Sequence, residues 1–239
     1  MDRIAFISTL SQGFRSFSKV RLTRMRLSGY LLENLSMTQS DWKHASLYAT
    51  RFFHVDLTQS SFAHATLRHA LFRTCSLNGV SFQHAQLQEA NFSGCEINDS
   101  DFRDSVGLNE ASVCECSMRN TNFAGLDLQK LRLFAADLTG SDLSNANLTR
   151  ALLRSNNLEA CNLSEAICLN ADFSDVNLRN ADLRNANLEG IDGSRASFAG
   201  ADLRGAQLKG ARLYGADLRG ANLKGVDLKH TELDEALRD

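Results

Sequence analysis

Three histidines are spaced so that they could share a metal ion. His44, His64 and His84 recur every twenty residues, and Asp104 continues the same spacing. Imidazole is a common zinc ligand, but a zinc site needs ligands that converge on one point. Side chains that repeat at a constant step form a flat ladder, which favours solvated histidines over a metal centre. We therefore expect no metal and no cofactor.

A concentration of carboxylates is a second candidate site. Residues 1–80 carry ten Lys or Arg and four Asp or Glu, residues 81–178 carry six and fourteen, and residues 179–239 carry ten and ten. The net charge of −2 therefore hides a basic start and an acidic middle. Because like charges held close together repel, stability alone does not favour the acidic middle, and we expect it to bind a partner. Its densest part, named here the acidic cluster, consists of Glu89, Glu96, Asp99, Asp101, Asp104, Glu110 and Glu115.

The cysteines could in principle form disulfides. Cys75, Cys95 and Cys116 recur at the twenty-residue step once a one-residue insertion is counted, which would place neighbouring Cα atoms within disulfide range. No CxxC pair and no secretory signal is present, so we expect buried, reduced thiols and a cytoplasmic protein. The sequence also lacks a phosphate-binding glycine loop, a nucleophile elbow and a metal motif, so we do not expect an enzyme.

A repeat of five residues produces these spacings. Residues 201–230 read ADLRGAQLKGARLYGADLRGANLKGVDLKH, and each repeat has an apolar centre, mostly Leu or Phe, with a small residue two places earlier. Centres run from Leu22 to Phe102 and, after one inserted residue, from Leu108 to Leu228, with Gly193 as the exception. Neither a helix nor a simple strand has this period. A chain that turns a corner every five residues does.

Four corners close a square coil of twenty residues, whose centres and small residues point inward. Two ladders of bulky residues support this period: Phe62, Phe82 and Phe102, and Phe52, Phe72 and Phe92. The chain has no Pro, which suits a fold that uses nearly every backbone N–H. We predict an all-β solenoid of about eleven coils, spaced by about 4.8 Å.

A polar column lies one residue before the centres. It could imitate a stripe of phosphates, or its short side chains could bond the backbone at the corners. The second interpretation is favoured, because in residues 178–229 the column lies beside basic residues that include Arg184, Arg204 and Lys224. Members of the column are Asp101, Asn122, Asp142, Asn162, Asp182, Asp202 and Asn222.

We expect caps at the two ends, because uncovered edge strands invite aggregation. Residues 1–19 form the N-terminal cap, residues 20–230 the repeat with its insertion between 102 and 108, and residues 231–239 the C-terminal cap. The C-terminal cap is expected to be a short helix with Leu233 and Leu237 on one face. A cap could also mediate a homodimer. As an alternative, residues 1–19 are a targeting segment, because residues 3–26 are rich in Arg and Ser and contain no acid.

The repeat resembles the pentapeptide-repeat family, whose motif is Ala-(Asp/Asn)-Leu-X-X. It is seen here in Ala201-Asp202-Leu203, Ala216-Asp217-Leu218 and Ala221-Asn222-Leu223, and the resemblance covers residues 20–233. It implies a right-handed quadrilateral β-helix. Some members of the family resemble duplex DNA in size and charge and bind type II topoisomerases, among them quinolone-resistance proteins that protect gyrase. Others are bacterial effectors delivered into host cells.

Two functions therefore stay open. The chain could be a DNA mimic that binds gyrase or topoisomerase IV through the acidic cluster, with no direct nucleic-acid binding and no membrane span. Alternatively, it is a protein-interaction scaffold or an effector with another partner. The acidic cluster favours the first function. The near-neutral net charge, the basic start and the absence of long loops favour the second.

Overall fold

The computed structural model describes residues 1–239. The chain divides into two compact units, Met1–Ser117 (unit 1) and Met118–Asp239 (unit 2). Each unit is a parallel β-solenoid in which residues twenty positions apart form bridges, such as Asp41 with Ser61 in unit 1 and Asp182 with Asp202 in unit 2. The twenty-residue coil is thereby confirmed.

Regular elements are short, because each side of a coil has only five residues. Helix α1 spans Arg3–Ser11, and a 3-10 helix spans Leu108–Glu110. Strands β1 to β5 pair in parallel and in sequence, and they give unit 1 five turns on this face. The expected total of eleven coils and the right-handed sense stay predictions. No helix is long and apolar enough to cross a membrane. The strands are β1 Leu31–Glu33, β2 Arg51–Phe53, β3 Leu71–Arg73, β4 Asn91–Ser93, β5 Ser112–Cys114 and β6 Arg132–Phe134.

Each corner depends on one left-handed residue. At a typical corner the N–H of Met25 donates to the carbonyl oxygen of Leu22 at 3.0 Å, and Arg24 between them has φ 59°. The residue two places after a centre has positive φ in both units, except at Glu110 of the 3-10 helix, where Gly107 has the positive φ instead. Glycine adopts this conformation freely, and other residues adopt it at a cost in stability.

The polar column before the centres stabilises the corners. The Asp182 side chain accepts a hydrogen bond from the Arg184 backbone N–H at 3.1 Å, and the Asn162 side chain accepts one from Ser164 at 3.1 Å. The same Asx turn recurs along both units, for example at Asp41 in unit 1. A short side chain that accepts from the backbone two residues later suits Asp and Asn. These contacts support the corner interpretation of the column.

Small polar residues two places before the centres have a structural task as well. The buried hydroxyls of Thr50 and Ser100 and the thiol of Cys75 each donate to the carbonyl oxygen of the residue 23 positions earlier, at 2.7–3.2 Å. Unit 2 repeats the arrangement, with the Cys161 thiol 2.9 Å from the Leu138 carbonyl oxygen. Buried polar groups require such partners, so Ser, Thr and Cys can alternate with Ala in this column.

Unit 1 has an aromatic core. Phe52, Phe72 and Phe92 stack with centroids 4.7 and 5.0 Å apart. A second stack begins with Trp42 and Phe62, 5.7 Å apart, and continues through Phe82 and Phe102. Rings of the two stacks meet edge to face at about 6 Å, a favourable aromatic geometry.

The first coil of unit 1 is closed by α1. Phe6 of this helix is completely buried and lies edge to face against Phe17 and Trp42, at 5.0 and 6.4 Å. Ser16 already forms a bridge with Ser36, so the solenoid begins before the predicted boundary at residue 20.

The prediction of a helical cap at the C-terminal residues 231–239 was wrong. Residues 231–239 form no helix and continue the solenoid, because Glu232 and Leu237 donate backbone hydrogen bonds to Ala211 and Ala216 at 2.9 and 2.8 Å. The open edge of the preceding coil offers backbone acceptors along its whole length. An isolated helix of nine residues gains little by comparison.

Candidate functional site

The acidic cluster lies within unit 1 and surrounds its last coil. Glu96 and Asp101 are bridge residues on two consecutive sides, paired with Ser76 and Ser81. Asp104 and Glu115 occupy later corners, with φ of 60° and 54°. The carboxylates are therefore distributed around the coil and do not form one stripe along it. The sequence places these residues in columns, but a list of acids does not reveal that they follow the circumference.

Asp101 is the most constrained member of the cluster. Its carboxylate pairs with the Arg103 guanidinium at 2.7 Å and accepts the Arg103 backbone N–H at 3.0 Å. The Gln83 amide donates to it at 2.7 Å. Burial acts to raise the pKa of Asp101, but these hydrogen bonds, led by those from Arg103, outweigh it and hold the pKa below its usual range. The main role of Asp101 is therefore to stabilise the corner at Arg103.

Two other members contact histidines of the neighbouring coil. The Glu89 carboxylate lies 3.2 Å from Nδ1 of His69, and the Asp104 carboxylate lies 3.8 Å from Nε2 of His84. Both carboxylates stay more than half exposed, at 62% and 67%. They can therefore still meet a partner, and an ion pair with a protonated imidazole would reduce their negative charge.

The remaining members are exposed. Glu96 accepts a hydrogen bond from the Asn78 amide at 3.0 Å, and Asp99 occupies the next corner with φ 57°. Glu110 ends the 3-10 helix of the insertion. With Glu115, these residues present carboxylates to solvent on several sides of one coil. Such an arrangement can attract a basic groove that closes around the coil.

The histidine ladder forms as a stack. The rings of His44 and His64 are 4.9 Å apart and inclined by 9°, and those of His64 and His84 are 4.6 Å apart and inclined by 11°. The pKa of His64 is lowered, mainly because its ring is partly shielded from solvent. The charges of the neighbouring His84 and His44 lower it further. Parallel rings direct their nitrogens side by side, and no group of three or more His, Cys, Asp or Glu residues is placed to hold a metal ion.

The cysteine ladder lies inside unit 1. Cys75, Cys95 and Cys116 are buried free thiols. The Cys116 thiol acts to lower the pKa of Cys95, but the Cys75 thiol and burial raise it to about 12. The Cys95 thiol, together with burial, raises the pKa of Cys116 as well. The Cys95 thiol hydrogen bond instead lowers the pKa of Cys75. Thiols with raised pKa are poor nucleophiles, so Cys95 and Cys116 have the character of core packing, and Cys75 is equally buried.

Unit 2 shows the expected alternation of charge on its exposed sides. Arg184 pairs with Asp182 at 2.6 Å, and Arg204 pairs with Asp202 at 2.6 Å. Nε of Arg184 also approaches Asp202 at 3.9 Å, so charges of opposite sign alternate between coils. This surface is internally neutralised, unlike the acidic cluster.

Family models for a five-residue repeat match most of the chain. The model described as "Pentapeptide repeat region" matches residues 30–102. The model described as "Pentapeptide repeats (8 copies)" matches residues 132–167, 171–210 and 201–237. No protein with curated annotation matches the chain by sequence.

Several solved structures are similar to this chain. Trypsin-treated QnrB1, a plasmid-mediated fluoroquinolone resistance protein, is 18% identical, with 94% of this chain and 91% of that chain covered and a TM-score of 0.43. HetL, involved in heterocyst differentiation regulation in the cyanobacterium Nostoc, is 24% identical, with coverage of 100% and 97% and a TM-score of 0.36. A pentapeptide repeat protein from the thylakoid lumen of Arabidopsis thaliana is 30% identical, with coverage of 48% and 71% and a TM-score of 0.24.

Proposed function

Because this chain belongs to the pentapeptide-repeat family, we propose that it is a non-enzymatic, protein-binding solenoid that modulates a type II topoisomerase. In this proposal the acidic cluster occupies the basic groove in which gyrase or topoisomerase IV holds DNA. The partner of the cluster is then a protein surface, and the chain itself binds no nucleic acid.

The placement of exposed carboxylates around the last coil of unit 1 carries the proposal. Asp99, Asp104 and Glu115 occupy corners whose counterparts in the preceding coil are the non-acidic residues Gly79, His84 and Gly94. A topoisomerase groove contacts DNA from several sides, and carboxylates on several sides of one coil match that requirement better than a single stripe would. Electrostatic attraction of this kind steers association and weakens as salt rises.

A second candidate function is favoured by the pairing of some of these charges. Asp101 is held by Arg103, and Glu89 by His69. Paired carboxylates are weaker phosphate mimics. In the second function the solenoid is a scaffold or an effector that binds a protein unrelated to topoisomerases.

Charge reversal separates the two functions. Glu96, Asp99 and Asp104 are exposed and none is an inward-facing centre, so a triple variant with Lys at all three positions should keep its fold. If the cluster occupies the gyrase groove, this variant loses binding to purified gyrase in a surface plasmon resonance titration. The loss should be at least about a hundredfold, because three attractions become repulsions.

The matched control changes the same amount of charge elsewhere. Glu159, Glu165 and Glu189 of unit 2 are replaced by Lys, and circular dichroism verifies that both variants are folded. Binding that survives the control and is lost in the cluster variant supports the proposal. Equal loss in both variants would indicate a general charge effect. If the wild-type protein does not bind gyrase, the first function is excluded and the second function remains.

A further inference from the structure

An exposed apolar and cationic surface lies on β6 and the segment beside it in unit 2. Phe134 is 66% exposed and Leu152 is 46% exposed. The bridge between Arg132 and Leu152 sets the two segments side by side, so Arg132 and Phe134 project next to Leu152 and Arg154. We name these four residues, with Lys130 and Arg150 at the adjoining corner, the β6 surface.

The polar column lacks Asp and Asn on this surface, as it does at Arg212 later in unit 2 and at Leu31, Arg51 and Leu71 on the strands of unit 1. Arg132 and Leu152 occupy the column in which Asp172 accepts the Ser174 backbone N–H at 2.9 Å and Asp192 accepts that of Ser194 at 3.0 Å. Neither Arg nor Leu can accept such a bond. Two stabilising Asx turns are thus given up in consecutive coils.

The adjoining corner departs from the rules as well. Lys130 and Arg150 have φ of 61° and 59°, whereas the next corners of that column are Asn170, Gly190 and Gly210. Asn and Gly tolerate the left-handed conformation, and long side chains adopt it at a cost. Local choices that lower stability and coincide in space indicate a functional surface.

Three cations of the β6 surface lack an ion pair, as do Lys209, Lys224 and Lys229 later in unit 2. Lys130, Arg132 and Arg150 form no ion pair, and Arg154 shares Asp175 with Arg195, at 3.2 and 2.7 Å. Elsewhere in unit 2, Arg184 and Arg204 each hold an aspartate at 2.6 Å. An apolar centre with unpaired cations around it complements a ligand that is apolar and acidic.

From this we infer that the β6 surface is a second docking site, which binds a short acidic segment of a partner protein through Phe134, Leu152 and the surrounding cations. Aromatic and arginine side chains dominate the binding energy of protein interfaces. Carboxylates of the segment would pair with Arg132 and Arg150, and its apolar side chains would cover Phe134 and Leu152. The site does not depend on the acidic cluster or on its partner.

The size of the surface favours a segment over a membrane. Leu152 is bridged on its other side to Asp172, and Asp175 lies close by beside Arg154. These carboxylates bound the cationic area after two coils, a width of about 10 Å at the spacing of parallel strands. Anionic headgroups would meet them, whereas a short peptide would not.

A labelled peptide tests the site. The probe is a short synthetic peptide in which Asp alternates with Leu and Phe, and its binding to the full-length chain is followed by fluorescence anisotropy. We expect Phe134→Ser and Arg132→Glu each to weaken binding at least about tenfold, the effect of losing one central contact. Tyr214→Ser is the matched control, because Tyr214 is 44% exposed but lies beside Glu235 and Asp234. It should leave binding unchanged.

Three results would overturn the inference: no binding of the peptide to the wild type, equal binding of a peptide with Lys in place of Asp, or equal losses in the Tyr214 control. Binding only to phosphatidylserine vesicles would assign the surface to membranes instead. The Lys triple variant of the acidic cluster should bind the peptide normally, so failure of the gyrase proposal and failure of this one are distinguishable.

Discussion

Units 1 and 2 build the same backbone from different side chains. Unit 1 fills its coils with stacked aromatic rings, and its corners are mostly His, Gln, Asn and acidic residues. Unit 2 fills its coils mainly with Leu, and its corners from Gly190 to Gly225 are Gly with the single exception of Arg195. The fold thus requires one apolar centre and one left-handed corner in every five residues. The small inward residue and the polar residue before the centre add to this frame, so mainly the outward residues of the corners are free to serve binding.

The aromatic core should make the largest difference between the units. Phe72 stacks on Phe52 and Phe92 at 4.7 and 5.0 Å and also meets Phe62 and Phe82. Phe72→Ala should lower the free energy of unfolding by about 4 kcal/mol, because a large cavity opens and stacking is lost. Urea unfolding measured by the fluorescence of Trp42 reports the loss.

Leu153→Ala in unit 2 is the control for that prediction. Leu153 is equally buried but belongs to a column without ring stacking. Leu153→Ala should lower the free energy of unfolding, measured by circular dichroism, by a smaller amount of about 3 kcal/mol. A larger loss for Leu153→Ala would mean that the aromatic stacks add nothing to simple burial.

The insertion in unit 1 should tolerate change less than an ordinary corner of unit 2. Gly107 has φ 82°, and a Cβ there would lie 2.8 Å from the Gln88 backbone nitrogen. Gly125 has φ 71° and no atom within 4 Å of such a Cβ. We expect Gly107→Ala to cost about 3 kcal/mol and Gly125→Ala about 1 kcal/mol, since only the first adds a clash to backbone strain. Equal costs in urea unfolding would show that the insertion relaxes freely.

The corners of unit 2 can be exchanged in both directions. A Cβ at Gly210 would lie 4.0 Å from Gly190, so Gly210→Ala has room and should cost about 1 kcal/mol through its φ of 72° alone. Ala160 has φ 54°, and Ala160→Gly should stabilise the protein by up to about 1 kcal/mol. The midpoint temperatures of thermal denaturation should therefore shift in opposite directions in the two variants, downward for Gly210→Ala and upward for Ala160→Gly. Shifts in the same direction would contradict the role given to the left-handed corner.

The paired carboxylates of unit 2 should give a small dependence of stability on pH. The Arg219 guanidinium, 2.8 Å away, lowers the pKa of Asp217 to about 2. A lowered pKa in the folded state stabilises the protein above about pH 4, and this contribution disappears as pH falls toward about 2. Because Arg219 is 60% exposed, the contribution should stay below about 1 kcal/mol.

Asp217→Asn keeps the acceptor for the Arg219 backbone N–H and removes the charge. The loss of stability in urea between about pH 5 and pH 2 should be smaller in this variant than in the wild type. Asp227→Asn is the control, because Asp227 accepts the Lys229 backbone N–H and has no ion pair. If the control flattens the pH profile as much, the pair with Arg219 is not its cause.

The fold could be predicted from the sequence because the centres from Leu22 to Leu228 repeat every five residues, with one inserted residue before Leu108 and Gly193 as the one centre that is not apolar. The prediction of a C-terminal helix was wrong for a related reason. Leu233 continues the five-residue step, but Leu233 and Leu237 also have the spacing of a helix face, and pairing with the preceding coil decides between the two. The members of the acidic cluster and the place of Asp104 next to His84 could be predicted from the twenty-residue step. The pairing of Glu89 with His69 and of Asp101 with Arg103 was not predicted, because it depends on the side-chain conformations of neighbouring residues.

The β6 surface was missed at the sequence level, although a signal was present. Arg132 and Leu152 interrupt the polar column in successive coils, and Phe134 adds an aromatic residue outside the core. Exceptions to a repeat are as informative as the repeat itself, provided that they are compared coil by coil.

We propose above that the acidic cluster of unit 1 acts on a type II topoisomerase. Gyrase supercoiling, measured with purified wild-type protein at low and at high salt, tests it most directly. We expect the wild-type protein at micromolar concentration to alter supercoiling in low salt and to have a weaker effect in high salt. The variant with Lys at positions 96, 99 and 104 should have no effect. Unchanged supercoiling by the wild type in low salt would contradict the claim.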